Sequence, residues 1–353
     1  MLVLFDPHPP ELRWCKIERN HISESAVLFD SQWEQDIATQ IAKVTGIEAL
    51  GYFLFHGGKE IIQPVTRITA ASLAPFEKII RLMPEYNEIT FQTLRRLMLG
   101  FPHLPHLLFC DTAFYSDLPP EASTYAVPYT LREQEQIQRF GGFGIAHQWA
   151  YQQINSGTGS PLSKVISIYL GNQANMTAID SGKPIDTSIG FTPVEGMVAY
   201  TRCGDIDPTI VFYLHAAGMS FNEINRLLSR ESGLTAVLDT PMSFMEIIRS
   251  PKSFAYQVFR YNLLKYLGAY ISILNGADGI VFLSEDREGS IDFIIDICRA
   301  LKFLGIECRS TPDQQEHYWI VTKPEIPIKV FCLPYNKWNI LANQARKYLN
   351  QGG

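Results

Sequence analysis

Between Asp186 and Pro208 the chain reads DTSIGFTPVEGMVAYTRCGDIDP, and this run restricts the fold more than any other. Gly, Pro and Thr break it too often for a core helix, and it is too long for a hairpin turn. Loops of this length inside a compact domain are usually functional or disordered. Strand-like apolar segments on both sides argue against disorder. One arginine, Arg202, stands among Asp186, Glu195, Asp205 and Asp207. A guanidinium held by neighbouring carboxylates can turn its planar fork to a phosphate or carboxylate. It can equally close a local ion pair and do nothing more.

Apolar runs and helical patterns can be read along the rest of the chain. Leu2–Phe5 reads as a strand and Leu12–Ile17 as its antiparallel partner, with a stiff turn, Asp6-Pro7-His8-Pro9-Pro10, between them. Residues 31–45 have helical spacing in Trp33, Ile37, Ile41 and Val44. Ala49–Phe55 is a buried strand leading into His56-Gly57-Gly58, and a helix is expected from Pro75 to about Leu99. Further strands are read at Leu107–Cys110, Val165–Leu170, Gly279–Leu283 and Ile328–Leu333. Helices are read at Ser220–Ser229, Ala255–Asn275, Ile291–Leu304 and Asn339–Leu349. His103 and His106 have a spacing that would suit a metal only on a helix, and Pro105 argues against one.

The chain has 353 residues, room for one large or two medium domains. Its hydrophobic share of 46% allows a sizeable core, and with a net charge of −6 nothing suggests a nucleic-acid surface. No apolar run reaches the roughly 18 residues of a membrane span. The opening MLVLFDPHPP is not expected to be a signal peptide, because it lacks a charged start and a small-residue cleavage site. Six scattered cysteines without CxxC spacing read as reduced thiols of a cytoplasmic protein, not as a disulfide frame or zinc site.

Several stretches together resemble the acetate kinase family (acetate and propionate kinases, with butyrate kinase as a relative), part of the sugar-kinase and actin superfamily. They are DTSIGFTPVEGM with TRCGDIDP, LLFCDTAF at 107–114, YAVPY at 125–129 and LNGADGIVF at 274–282. The resemblance implies an α/β fold of two actin-like (ribonuclease H-like) domains with an interdomain cleft. Residues 1–150 would form the first, with the C-terminal helix 336–353 packing back on it. Residues 151–335 would form the second, through which the family dimerises. The strands LVLF, Ala49–Phe55 and Leu107–Cys110 should then share one sheet, and Val165–Leu170 should begin another.

The same resemblance assigns candidate site residues. Asp111 matches the family's catalytic carboxylate, where the residue alone could equally cap a turn. Arg202 keeps its place in the long loop, and Gly171 and Asn172 keep theirs in a turn that contacts nucleotide phosphates. His56 survives as a residue lining the site. Other positions depart. Phe53 replaces a phosphate-facing Arg, Phe143 a His that contacts the phosphoryl group, and Pro7 a phosphate-turn Gly. Ser243 and Met245 replace the charged adenosine contacts. Glu285, Asp286 and Glu288 stand where a glycine-rich loop would approach phosphate, and like charge there repels an anion. Lys337, or Trp338 with a one-residue slip, takes the place of a glutamate that serves magnesium. Phe55, Phe76, Gly142 and Pro193 match the walls of the acyl pocket, to which Phe53 and Phe143 add rings.

Kinase chemistry needs bound metal, cradled phosphates and cations on the moving phosphoryl group. One missing donor typically costs about 2.7–4 kcal/mol. The expectation is therefore a catalytically impaired family member with a binding, regulatory or scaffold role, no cofactor and no metal site. Its partners would be a second copy in a homodimer, a small carboxylate held by Arg202, or another protein. The alternative is an active acyl kinase moving phosphate between Mg-ATP and a short-chain carboxylate such as acetate or propionate. A purely structural dimer subunit is a second alternative.

Overall fold

A computed structural model describes residues 1–351 apart from 20, 31, 70–72, 157–160, 239 and 316. The chain divides into two compact units. The first is Met1–Ser116, Gly142–Ala146 and Asn336–Gly353; the second is Asp117–Gly141 and His147–Tyr335.

The first unit is built on a six-stranded mixed sheet. Its strands are β1 (Leu2–His8), β2 (Glu11–Glu18), β3 (His21–Leu28), β4 (Ala49–Leu54), β5 (Val65–Ile68) and β6 (His106–Cys110), in the order β3-β2-β1-β4-β6-β5. The first three form an antiparallel meander, and β1, β4 and β6 run parallel. The pairing of β1 with β2 continues past Phe5, setting Asp6 opposite Arg13 and His8 opposite Glu11. The expected five-residue turn thus shrinks to Pro9-Pro10, and Asp6 becomes a buried strand residue. Every residue of β4 is buried, as suits a central parallel strand covered on both faces.

Helices Trp33–Ala42 and Pro84–Gly100 pack together, and the second also lies on β1 and β4. Where one helix to Leu99 was expected, Pro84 divides two, Ala74–Ile80 and Pro84–Gly100. Proline lacks the N–H an interior turn needs and fits the first position of the next helix. The core gathers Val3, Phe5, Tyr52, Leu54, Phe76, Leu94 and Leu108. Helix Lys337–Asn350, capped by the Asn336 side chain, packs on β1 and β5 of this unit.

The second unit carries seven strands, β7 (Lys164–Leu170), β8 (Asn175–Asp180), β9 (Lys183–Thr187), β10 (Gly279–Ser284), β11 (Cys308–Gln314), β12 (Trp319–Thr322) and β13 (Lys329–Pro334). Their order is β11-β12-β13-β10-β7-β8-β9. The run β9-β8-β7-β10-β13 has the same order and strand senses as β3-β2-β1-β4-β6. Each unit is therefore an antiparallel meander extended by parallel strands. Helices Phe254–Ile273 and Arg287–Ala300 bury Phe259, Leu263, Phe293 and Ile297 in a core shared with Ile168, Met176 and Phe282. Among the described residues, no helix is long and apolar enough to cross a membrane.

Candidate active site

Asp111 follows the last residue of β6 and opens the short helical turn Asp111–Asp117. Its buried carboxylate accepts the backbone N–H groups of Phe143, at 2.5 Å, and Ile145, at 3.2 Å. The segment Gly142–Ala146 can reach it because Phe143 takes a left-handed conformation with φ of 58° and because Gly144 has no side chain. A Cβ on Gly144 would stand 2.3 Å from the Asp111 carbonyl oxygen. Burial pushes the Asp111 carboxyl up to about 6; the two amides and Lys337 pull the other way. Burial prevails, leaving a carboxylate that titrates close to neutrality.

Lys337, the first residue of its helix, donates from Nζ to Asp6 Oδ2 at 2.7 Å. The same ammonium stands 4.2 Å from the centre of the Phe53 ring. Phe53 packs edge-on against Phe55, and Phe55 against Tyr86. Phe76 lies elsewhere in the unit, stacked on Phe91 within the core. His56 is buried and closes its own turn, its Nδ1 accepting the Gly58 N–H, while Asn87 bonds the His56 backbone at both N–H and carbonyl. His106 has its two ring nitrogens at the Tyr52 hydroxyl and the Phe101 carbonyl.

In the second unit the long loop after β9 contains neither helix nor strand up to Pro208. Its three acidic side chains, and Asp186 at the end of β9, have separate tasks. Glu195 pairs with Arg139 and accepts from the Tyr125 hydroxyl, which itself receives the Phe191 N–H. Asp205 accepts the Gly196 N–H, Asp207 caps Thr209, and Asp186 accepts the Thr187 N–H. Arg202 is buried, and its guanidinium donates to Gln173 Oε1 at 3.3 Å. Pro193 is buried in the loop. Gln173 belongs to the turn Gly171-Asn172-Gln173 between β7 and β8, which places Arg202 beside the two residues assigned to nucleotide phosphates. A Cβ on Gly171 would lie 2.6 Å from the Tyr169 hydroxyl, so this turn requires glycine for close approach. Tyr125, Arg139 and Gln173 join the candidates named from the sequence, brought in by these contacts.

The acidic run after β10 is less repulsive than its composition suggests. Asp286 caps helix Arg287–Ala300 through the Gly289 N–H and pairs with Arg249. Glu285 accepts the Tyr169 hydroxyl at 3.1 Å. Two of the three carboxylates are thus engaged by donors.

The family model described as the Acetokinase family matches residues 19–343. Acetate kinase 2 of Clostridium perfringens is 33% identical over 312 residues, covering 86% of this chain and 78% of that protein. Among solved structures, an acetate kinase from Porphyromonas gingivalis superposes with a TM-score of 0.85 at 22% identity, over 99% of both chains. A propionate kinase from Francisella tularensis gives 0.82 at 23% identity, over 97% of both chains. These two show the shared fold, two actin-like α/β domains.

The chain belongs to the acetate kinase family. This overturns the expectation that it needs no cofactor: its relatives are named acetate kinases.

Proposed function

We propose that the chain is an active acyl kinase that moves a phosphoryl group between Mg-ATP and a short-chain carboxylate such as acetate or propionate. One observation carries this reading: Asp111, the family's carboxylate, is buried and aimed by two backbone amides in a chain whose relatives are named acetate kinases. In the reaction a carboxylate oxygen of the acid forms a bond to the γ-phosphorus, and the bond from that phosphorus to the ADP oxygen breaks. The nucleophile is already ionised, so no proton need be removed, and positioning and charge dominate.

The residues fit a nucleotide. The glycine turn at Gly171 with the exposed Asn172 suits phosphate oxygens, and Arg249 offsets the charge of Asp286. Among the described residues, no group of three or more His, Cys, Asp or Glu side chains could hold a metal. Magnesium does not require one, because it keeps waters and binds through phosphates with one or two carboxylates. When bound, it would supply positive charge to the phosphates.

A second copy is the partner this reading favours. Helix Thr209–Ala216, TIVFYLHA, buries none of its residues, and Phe212 and Tyr213 are 66% and 75% exposed. Apolar patches of that kind mark association surfaces. Free cysteines agree with a cytoplasmic location.

The test is to incubate the protein with Mg-ATP and acetate, propionate or butyrate and to trap acyl phosphate as the hydroxamate. The reading requires turnover with at least one acid and its loss in Asp111→Asn. Absence of product with every acid would refute it.

A further inference from the structure

Two departures from the family, Phe53 and Lys337, lie far apart in sequence, and the fold brings them into contact. The Lys337 ammonium stands 4.2 Å from the Phe53 ring centre and 2.7 Å from Asp6 Oδ2. We propose that Lys337 is the cation that receives the transferring phosphoryl group beside Asp111, with Phe53 as its platform and Asp6 as its anchor. The proposal rests on the acyl kinase reading and adds a specific residue to it.

An ammonium carries three donors. Asp6 takes one, and the ring face, electron-rich at its centre, attracts the charge without consuming a hydrogen bond. The Lys337 side chain remains 29% exposed, whereas Asp6 is 9% exposed. The anchor is therefore sealed, and the cation keeps access to a ligand. Asp111 lies within electrostatic reach of both members of the pair, and Lys337 lowers its pKa while Asp6 raises it. His8 also lies within electrostatic reach of Lys337, and burial and the nearby cations Arg13 and Lys337 lower its pKa, against Asp6 and Glu11. Asp6 and Asp111 outnumber the single ammonium, so a phosphoryl group should enter as part of a magnesium nucleotide and not as free phosphate.

The experiment compares wild type with Lys337→Met and Lys337→Arg, each first shown to melt cooperatively. Calorimetry with Mg-ATP and Mg-ADP separates a phosphoryl contact from general damage. In Lys337→Met, ATP should bind about tenfold more weakly and ADP unchanged, with Lys337→Arg near wild type. In the turnover assay, kcat of Lys337→Met should fall about 100-fold. The acidic limb of its pH profile should move upward, because Asp111 loses a stabilising charge. Wild-type turnover that Lys337→Met leaves intact, or equal weakening of ATP and ADP, would overturn the role of Lys337 and leave the kinase reading standing. A wild type that binds Mg-ATP in a Lys337-dependent way without turnover would remove the kinase reading alone. A wild type that binds neither nucleotide would remove both.

Discussion

Asp111 and His147 are both buried, and burial drives their titrations in opposite directions. For Asp111 it raises the carboxyl to about 6, against the pull of two amides and Lys337. If the ionised form is the working one, kcat/KM should rise with pH through an apparent pKa of about 6, and the limb should vanish with the activity in Asp111→Asn. His147, held between Ser167 Oγ at 2.8 Å and Asn175 Oδ1 at 2.5 Å, is lowered to about 4 by the same desolvation, which its Asn175 bond only partly offsets. Between about pH 4 and 6.5 the unfolded chain holds a proton at His147 that the folded chain lacks. Stability contributed by the neutral ring is thus complete above 6.5 and is lost as pH falls towards 4, by about 3 kcal/mol in all. Asp111 acts in the opposite sense over that window, so the comparison must be between wild type and His147→Asn. Urea unfolding at about pH 7 and about pH 4.5 should show a smaller loss for the variant; equal losses would contradict the assignment. Asp111 itself was legible from LLFCDTAF. Lys337 was not: its partner Asp6 lies 331 residues away, and such a pair exists only after folding. Counting family side chains one position at a time scored Phe53 and Lys337 as two losses, where the fold makes them one contact.

The elements most visible in the sequence were the strands buried on both faces. β4, β6 and β10 are continuous apolar runs, and their residues are buried throughout. β3, HISESAVL, and β11, CRSTPDQ, were missed, since both are half-exposed strands whose side chains carry almost no apolar pattern. Pairing with a neighbour's backbone holds them, which periodicity cannot reveal. At Phe143 the sequence shows only a lost histidine, in the segment Gly142–Ala146. Its backbone proves to matter more, because two of its N–H groups hold Asp111. Gly144→Ala should therefore be costly: the added methyl would meet the Asp111 carbonyl oxygen at 2.3 Å. A destabilisation of about 1–3 kcal/mol is expected from such overpacking, together with a fall in kcat. A Gly144→Ala variant with wild-type urea midpoint and turnover would show that the close approach is not needed.

For the whole molecule, the repeated strand order shows how one plan was used twice, and chain order conceals part of it. Residues 117–141 belong with the second unit and 336–353 with the first, so neither unit is a continuous segment. Association is the next level. If helix Thr209–Ala216 is covered by a second copy, light scattering should give a dimer mass for wild type and a monomer mass for Phe212→Asp with Tyr213→Asp. A monomeric wild type would exclude that use of the helix. The central claim concerns the phosphoryl group, and phosphorus NMR observes it directly. With Mg-ADP and acetyl phosphate, wild type should convert the acetyl phosphate resonance into the γ-phosphate resonance of ATP in equal amount, and Asp111→Asn should leave both unchanged. Persistence with wild type of acetyl, propionyl and butyryl phosphate alike, or decay of each only to inorganic phosphate, would contradict the account.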